Sequence, residues 1–301
     1  MRIGTRIGLR VLVGIGLVGW AFAASSEVPV LVSTEWLAQR LKDPGLVILH
    51  VAMGHDGAPG ELIPGARVLD YHAITQDRDG LPVELPAVDD LVKVFQAAGV
   101  ASDKHVVLYG QGWPHMAARA FVTLDYLGHG ARTSLLDGGL EAWKAEGRPV
   151  AEKPAAGETG VFVAKPRGDM LVSADWIAAR LADPKLTLVD ARPAGEYSGE
   201  TPQDGLRGGH IPGAYNLYYQ DLVVSRENPR LKDLDYVKGR FAEAGAGAAG
   251  PVVNYCYIGM RASYTYVVSR HLGLDAKFYD PSWAEWGRRN DLPLKDGAAR
   301  R

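Results

Sequence analysis

The chain has 301 residues, of which 47% are hydrophobic and 23% are charged. This composition is typical of globular proteins, and the length suffices for two cores of ordinary size. The formal net charge of −2 excludes the strongly basic balance of nucleic-acid-binding proteins, so we expect no such partner. The histidines show no metal-ligand spacing and no glycine-rich phosphate motif follows a first strand, so we predict no metal and no cofactor.

The N-terminus has the pattern of a secretory signal. Arg2, Arg6 and Arg10 precede an apolar run over residues 11–22, and Ala21 and Ala23 form the small-x-small pattern that signal peptidases cut. We predict a signal peptide over residues 1–23 and export, to the periplasm. The apolar run is shorter than the roughly 20 residues that span a bilayer, which favours cleavage over a retained anchor. We therefore expect no membrane contact after cleavage.

A repeat divides the rest of the chain into two copies of one unit. Leu31-Val32-Ser33 with Trp36 returns as Leu171-Val172-Ser173 with Trp176, and each serine is a helix N-cap. Both copies then hold a strand, an Ile-Pro-Gly-Ala word, a second strand, a helix ending at Leu-Gly, and an Asp before a Trp. Strands that alternate with helices in this order predict an α/β fold, with two domains that each have a small parallel sheet and helices on both faces.

The two domains are predicted over residues 30–150 and 168–296. Between them, residues 151–167 form a linker, because Pro154, Gly157 and Pro166 interrupt a polar stretch without periodicity.

The second copy holds the only cysteine of the chain, Cys256, between a predicted strand over residues 252–255 and a predicted helix over residues 262–272. Open α/β sheets bind ligands at the carboxyl ends of their strands, and a helix N-terminus favours an anion. Loop amides and Arg261 would favour the thiolate, so the loop predicts a sulfur nucleophile. An unpaired thiol in an exported protein is open to oxidation, which favours this function over a leftover buried cysteine.

The first copy lacks this nucleophile. Gly110 stands at the position of Cys256 when the strands are aligned, and Gln111 does so when the helices are aligned, because the loop is one residue longer. We predict that the domain over residues 30–150 is non-catalytic and walls the active site of the second. Trp113 and His115 on that loop are candidates to face the active site.

Four words of the second copy carry a family resemblance. They are Asp190-Ala191-Arg192 with Glu196-Tyr197, Gly209-His210-Ile211-Pro212-Gly213-Ala214 with Asn216, Cys256-x-x-Gly259-x-Arg261, and Tyr279-Asp280 with Ser282-Trp283-Ala284-Glu285-Trp286. With them the chain resembles the tandem-domain rhodaneses, the thiosulfate and 3-mercaptopyruvate sulfurtransferases, over nearly all of its mature length. The resemblance implies two rhodanese-like domains, the second catalytic, and transfer of a sulfane sulfur through a persulfide on Cys256. It also implies a small-molecule sulfur donor, either thiosulfate or mercaptopyruvate, and a thiophilic acceptor such as cyanide or a thiol.

The resemblance also indicates which residues serve the site. Gly259 lets the loop turn so that its amides face the sulfur, and Arg261 adds a cation for an anionic donor. For Arg192, bracing the loop through Asp190 or Glu196 is the alternative to substrate binding. We expect His210 to be structural, and Trp283 and Trp286 to pack in the core. The predicted site is then catalytic Cys256 with substrate-binding Arg192, Tyr257, Ile258, Gly259, Met260 and Arg261.

The loop departs from both subfamilies of the tandem rhodaneses. Tyr257 and Ile258 replace the two basic residues usual in thiosulfate-preferring members and the Gly-Ser or Gly-Thr usual in mercaptopyruvate-preferring ones. Arg261 stands where both usually have threonine, and Glu196 replaces a family arginine that helps bind the donor. We expect thiosulfate as the donor, because an arginine in the loop suits a compact dianion, with mercaptopyruvate as the alternative.

Two other functions stay open. Phosphatases and arsenate reductases with a Cys-x5-Arg loop share the fold, but Cys256 and Arg261 enclose a shorter loop that fits sulfur better than a tetrahedral oxyanion. A sulfane-sulfur carrier without turnover would use the same persulfide. In each case we expect a monomer.

Overall fold

The computed structural model describes residues 28–54, 60–203, 205–247 and 250–298. The predicted signal peptide lies outside these residues. Within the described part of the chain, no helix is long and apolar enough to cross a membrane.

The first domain is built on a parallel sheet. Its elements in chain order are β1 (Leu31–Val32), α1 (Thr34–Ala38), β2 (Leu46–Ala52), β3 (Arg67–Asp70), β4 (Gln76–Arg78), β5 (Leu81–Glu84), α2 (Val88–Ala97), β6 (His105–Tyr109), α3 (His115–Tyr126), β7 (Thr133–Leu136) and α4 (Gly139–Ala145). Among the described residues the sheet has five strands, all parallel, in the order β1-β7-β6-β2-β3. The strands β4 and β5 form a separate antiparallel hairpin.

The second domain repeats this plan. Its elements are α5 (Ala174–Ala178), β8 (Thr187–Asp190), α6 (Ala194–Ser198), β9 (Tyr215–Asn216), α7 (Leu234–Glu243), β10 (Pro251–Tyr255), α8 (Ala262–His271), β11 (Asp275–Phe278) and α9 (Ser282–Trp286). In the described chain its sheet has four parallel strands in the order β11-β10-β8-β9. Leu171 forms a parallel bridge to Phe278, as β1 does beside β7. The predicted α/β fold with two repeated domains is confirmed.

The N-caps explain why both repeats begin alike. Ser33 Oγ accepts a hydrogen bond from the N–H of Trp36, and Ser173 Oγ accepts one from the N–H of Trp176, both at 3.1 Å. A serine in this position satisfies one amide that the first turn leaves without an acceptor, and it typically contributes about 1 kcal/mol. The two predicted caps are therefore present.

One apolar cluster runs through both domains. It contains Phe121 and Leu124 from α3 and Val267 from α8, and these two helices pack against each other. Residues 117–125 of α3 are all buried, since one side of the helix lies on its own sheet and the other lies on α8. Within this interface Asp125 accepts hydrogen bonds from Tyr266 at 2.7 Å and from Arg270. The domains thus share a core.

The predicted linker lies along the first domain. Ala151 forms an antiparallel bridge with Leu62, and the N–H of Lys165 donates to the carbonyl of Leu127 at 2.8 Å. Phe162 is 3% exposed and joins the shared cluster. These contacts hold the segment against the domain that precedes it.

Candidate active site

The strand β10 carries Cys256 to the carboxyl edge of the second sheet. β10 lies between β11 and β8, and its residues 252–255 are buried. The Cys256 side chain is 0% exposed. An anion at this sulfur is removed from bulk water, so protein donors must replace its hydration.

The hydroxyl of Ser282 fixes the start and the middle of the cysteine loop. Its oxygen accepts hydrogen bonds from the N–H of Cys256 at 3.2 Å and from the N–H of Gly259 at 3.1 Å, and its hydrogen is donated to the carbonyl of Tyr279 at 2.8 Å. Ser282 has φ of 55°, a left-handed conformation that costs a non-glycine residue about 1–3 kcal/mol. Such strain persists where surrounding contacts over-determine the backbone, as these three hydrogen bonds do.

Two backbone hydrogen bonds and one obligatory glycine also fix the cysteine loop. The N–H of Trp283 donates to the carbonyl of Cys256 at 3.0 Å, and that of Ala284 donates to the carbonyl of Tyr257 at 2.8 Å. Gly259 has φ of 76°, and a Cβ there would lie 2.9 Å from the Asp280 carbonyl oxygen and 3.1 Å from Arg119 Nη1. Only glycine fits this turn.

Backbone N–H groups of the loop lack acceptors. Those without a hydrogen-bond partner among the described residues belong to Tyr257, Ile258, Met260 and Arg261. They lead directly into the N-terminus of α8, at Ala262. Unpaired amides before a helix form a site for an anion, because amide hydrogens and the helix dipole both favour negative charge. This arrangement can hold the charge of a thiolate or a persulfide.

Arg261 is paired with Glu196. Its two terminal nitrogens donate to the two carboxylate oxygens, each at 2.7 Å, and the side chains are 20% and 12% exposed. Burial acts to lower the pKa of Arg261, but the hydrogen bonds to Glu196 and the charge of Cys256 outweigh it and raise the pKa. The loop therefore presents a neutral pair beside Cys256, where we expected a free cation. Arg261 and Glu196, two residues that depart from the pattern of the tandem rhodaneses, therefore contact each other.

Arg192 occupies a structural position. Its guanidinium is buried, donates to Asp190 at 2.6 and 3.0 Å and to the carbonyl of Gly209 at 2.8 Å, and lies over the ring of Trp283 at 4.5 Å. The substrate-binding role of Arg192 stays a prediction, although the cation is already paired and is 1% exposed. The alternative, in which Arg192 braces the loop through Asp190, fits these contacts.

The other residues named from the sequence lie either on the loop or in the core. Tyr257, Ile258 and Met260 are half-buried on the loop. His210 is 0% exposed and stacks on Tyr197 with ring centroids 3.7 Å apart, which confirms its structural role. Trp283 and Trp286 belong to a buried cluster of the second domain, as expected.

The first domain supplies aromatic side chains beside the site. The rings of Trp113 and His115 pack edge-on against Tyr219 of the second domain, with centroids 6.1 and 5.4 Å away. Burial, and to a smaller extent the charge of Arg261, lowers the pKa of His115 to about 4. His115 is thus neutral at pH 7 and lies near the Arg261 pair. These contacts place the two residues against the second domain.

A buried polar cluster behind the loop was not predicted. Arg119 from α3 is 0% exposed, pairs with Asp280, and donates to the carbonyl of Val83 at 2.6 Å. The N–H of Leu85 donates to the other Asp280 oxygen at 3.0 Å. Burial, followed by the charge of Asp280, raises the pKa of neighbouring Glu84 to about 7. An arginine within the apolar run of α3 was the available signal, because buried arginines are found where they are paired.

The corresponding loop of the first domain is closed by its own carboxylate. Glu141 accepts a hydrogen bond from the N–H of Gly112 at 2.7 Å. Gly139, the repeat equivalent of Ser282, has φ of 54° and carries no hydroxyl. A cavity of about 650 Å³ lies beside this loop, lined in part by His50, Gln111 and Glu141. The first domain therefore keeps the shape of the site without its nucleophile or its serine.

Within the described residues, no group of three His, Cys, Asp or Glu side chains is arranged to hold a metal ion. Fold and site define a tandem α/β protein with one cysteine loop at a sheet edge. The Rhodanese-like domain family matches residues 33–146 and 173–289. The chain belongs to the rhodanese family, and it is a sulfurtransferase.

Curated relatives of similar length carry two activities. The 3-mercaptopyruvate sulfurtransferase of Escherichia coli (strain K12) is 30% identical over 276 residues, which cover 88% of this chain and 97% of the relative. The thiosulfate sulfurtransferase of Azotobacter vinelandii is 30% identical over 274 residues, which cover 90% and 98%. Relatives of both names match equally well, so identity does not separate the donors.

Solved structures agree with the fold. SseA from Escherichia coli, described as a 3-mercaptopyruvate sulfotransferase, superposes with a TM-score of 0.72 at 27% identity, over 85% of this chain and 99% of that chain. An EanB variant in complex with ergothioneine superposes with a TM-score of 0.79 at 21% identity, over 90% of this chain and 71% of that chain. The second likeness concerns the fold alone.

Proposed function

We propose that this chain moves a sulfane sulfur from thiosulfate to cyanide or a thiol through a persulfide on Cys256. The Cys256 thiolate attacks the outer sulfur of thiosulfate, the S–S bond of the donor breaks, and sulfite leaves with the bonding electron pair. Cyanide then takes the outer sulfur of the persulfide as thiocyanate, and the thiolate is restored. No proton is consumed in either step.

The observation that carries this proposal is the set of unpaired N–H groups around the loop. Cys256 follows a central strand, and the amides of residues 257, 258, 260 and 261 precede α8 without acceptors in the described chain. Ser282 holds the backbone of this loop through the N–H groups of Cys256 and Gly259, so the unpaired amides between and after them need little reorganisation when the charge moves to the outer sulfur.

The test uses the mass of the intact protein. After exposure to thiosulfate, wild-type protein should gain one sulfur mass, and Cys256→Ser should gain none while keeping its fold. A sulfur gain in Cys256→Ser would refute the nucleophile, and no gain in the wild type would refute thiosulfate as donor.

Mercaptopyruvate is the second candidate donor, and the Arg261–Glu196 pair is the observation that favours it. A neutral pair gives less attraction to a dianion than a free arginine would, so a monoanionic donor loses less. The same mass measurement with mercaptopyruvate compares the two donors directly.

Steady-state turnover separates an enzyme from a sulfur carrier. We expect continuous thiocyanate production from thiosulfate and cyanide by the monomeric protein. One equivalent of thiocyanate without further turnover would identify a carrier.

We further propose that the protein acts after export, on the basis of the basic and apolar pattern of residues 1–23. Mature protein that begins at Ala24 in a periplasmic extract would support this location, and an uncleaved chain in the cytoplasm would contradict it.

A further inference from the structure

The carboxylate of Asp280 links the cysteine loop of the second domain to the first domain. Its side chain is 9% exposed, and each of its two oxygens has a donor from the first domain. Arg119 of α3 pairs with one oxygen, and the N–H of Leu85, which follows β5, donates to the other at 3.0 Å. The domain that lacks the nucleophile therefore holds this carboxylate in place.

The turn of the cysteine loop packs directly on the Arg119–Asp280 pair. A Cβ at Gly259 would lie 2.9 Å from Asp280 Oδ1 and 3.1 Å from Arg119 Nη1. The backbone of the loop thus approaches both charged groups as closely as a residue without a side chain allows. A shift of the pair would move Gly259, and with it the adjacent unpaired amides of Ile258 and Met260.

Asp280 also reaches the loop along its own chain. It lies two residues before Ser282, whose hydroxyl donates to the carbonyl of Tyr279 at 2.8 Å. The Ser282 oxygen in turn accepts hydrogen bonds from the N–H groups of Cys256 and Gly259. A carboxylate that is fixed at residue 280 therefore helps to fix the serine that holds the loop.

Arg119 is retained here in spite of an unfavourable environment. It is 0% exposed, and its Nε has no hydrogen-bond partner among the described residues. Its second terminal nitrogen donates at 2.6 Å to the carbonyl of Val83, whose φ of 64° is an outlier for a β-branched residue. Apolar side chains of similar shape often replace a buried ion pair without loss of stability. Stability alone therefore does not explain an arginine at this position.

We propose that Arg119 of the first domain is a positioning residue for sulfur transfer, which acts through Asp280 to keep the cysteine loop in the conformation that binds the sulfur anion. This inference rests on the proposed role of Cys256. It goes beyond that role because it gives the non-catalytic domain a part in the reaction. Arg119 acts on the loop from the side of Gly259 and Asp280, so its loss should slow the transfer steps more than it weakens donor binding.

Arg119→Met tests this role, because methionine fills much of the same space without the charge. We expect kcat for thiocyanate formation from thiosulfate and cyanide to fall about a hundredfold, with a change of less than about threefold in the KM for thiosulfate. Arg119→Lys should recover at least about tenfold of the lost kcat, since its ammonium can still pair with Asp280. A kcat in Arg119→Met within about twofold of the wild-type value would overturn the inference.

Alkylation by iodoacetamide adds a readout that does not depend on sulfur transfer, because Cys256 is the single cysteine of the chain. In Arg119→Met we expect the pH midpoint of the alkylation rate to rise by about one unit, since displaced amides favour the thiolate less. The uncompensated charge of Asp280 would also raise this midpoint. The double variant Arg119→Met/Asp280→Asn removes that charge and should keep the raised midpoint. A return to the wild-type midpoint would assign the shift to charge and overturn the inference.

Asp125→Asn is the matched control on the same helix and the same domain interface. Asp125 is 1% exposed and pairs with Arg270, in the last turn of α8, at the opposite end of that helix from the cysteine loop. We expect Tm to fall in both Asp125→Asn and Arg119→Met, while kcat and the alkylation midpoint change only in Arg119→Met. An equal loss of kcat in the control, measured below its Tm, would show that any weakening of the interface disturbs the loop, and would overturn the inference.

The two readouts separate this inference from the proposed function. If wild-type protein forms the persulfide and Arg119→Met keeps the wild-type kcat and midpoint, the positioning role fails and the nucleophile stands. If wild-type protein gains no sulfur from any donor while Arg119→Met raises the midpoint, the proposed function fails and the hold of Arg119 on the cysteine loop stands.

Discussion

Ser282 shows how far a single residue determines the loop. Its repeat equivalent, Gly139, has φ of 54° against 55° for Ser282, so the two domains keep one backbone conformation at this position. Glycine adopts that conformation without strain. The second domain instead has a serine, whose hydroxyl joins Cys256 to Gly259. The strain is retained where the hydroxyl is needed.

Ser282→Gly tests this interpretation. The change relieves the left-handed strain and removes three hydrogen bonds, so the effects on stability oppose each other and Tm should move by only a few degrees. The kcat/KM should fall at least about tenfold, because the loop amides lose their common acceptor. Activity close to that of the wild type would show that the Trp283 and Ala284 contacts hold the loop alone.

Glu196 determines how much charge a donor meets. We expect Glu196→Gln to lower the KM for thiosulfate about fivefold with little change in kcat, since it releases the charge of Arg261 near the sulfur. Initial rates of sulfite release provide the measurement.

Glu243→Gln is the control for charge removal, because Glu243 is 60% exposed and pairs with Arg240 on the domain surface. Its KM should stay at the wild-type value. An unchanged KM in Glu196→Gln would mean that Arg261 does not face the donor.

At the scale of elements, the turn from β10 into α8 depends on Gly259. Gly259→Ala would place its Cβ against the Asp280 carbonyl at 2.9 Å and force a positive φ on alanine. We expect a loss of about 2–4 kcal/mol in the free energy of unfolding and loss of sulfur transfer.

Gly273→Ala at the other end of α8 is the comparison. Gly273 has φ of 73°, but nothing lies within 4 Å of a Cβ there. The free energy of unfolding of Gly273→Ala should fall by only about 1 kcal/mol, and the variant should remain active. Equal losses in urea unfolding of the two variants would assign the whole cost to backbone strain and none to the contact with Asp280.

Local patterns predicted the elements because strands, caps and turns depend on neighbouring residues. The predicted helix over residues 262–272 is observed as Ala262–His271, and the strand over residues 252–255 as Pro251–Tyr255. The pairing of Arg261 with Glu196 was not predicted, since the two residues are 65 positions apart in the chain and meet only in the folded domain. The cluster around Arg119 depends on the docking of two domains, which no local pattern encodes.

At the scale of the whole molecule, the domain interface should make stability depend on pH. The pKa of Glu84 is about 7 in the folded protein, above its ordinary value of 4.5, because the carboxyl is buried near Asp280. A raised carboxyl pKa adds stability that is present below about pH 4.5 and is lost as pH rises through 7. Between pH 5 and pH 8 the free energy of unfolding of the wild type should therefore fall by up to about 2 kcal/mol relative to that of Glu84→Gln.

Urea unfolding of the two proteins at both pH values measures this difference, in which the titration of other groups cancels. Glu61→Gln, an exposed carboxylate that pairs with Lys144, should follow the wild-type profile. Parallel profiles for wild type and Glu84→Gln would show that Glu84 is already ionised at pH 5.

The carboxylate of Glu141 limits the engineering of a second active site in the first domain. A thiol introduced at Gly110 or Gln111 would lie in a loop whose Gly112 N–H already donates to the Glu141 carboxylate, an anion that takes the place of an anionic substrate. Catalysis in the first domain would also require removal of the Glu141 carboxylate and a hydroxyl at residue 139, so no single substitution makes this domain catalytic.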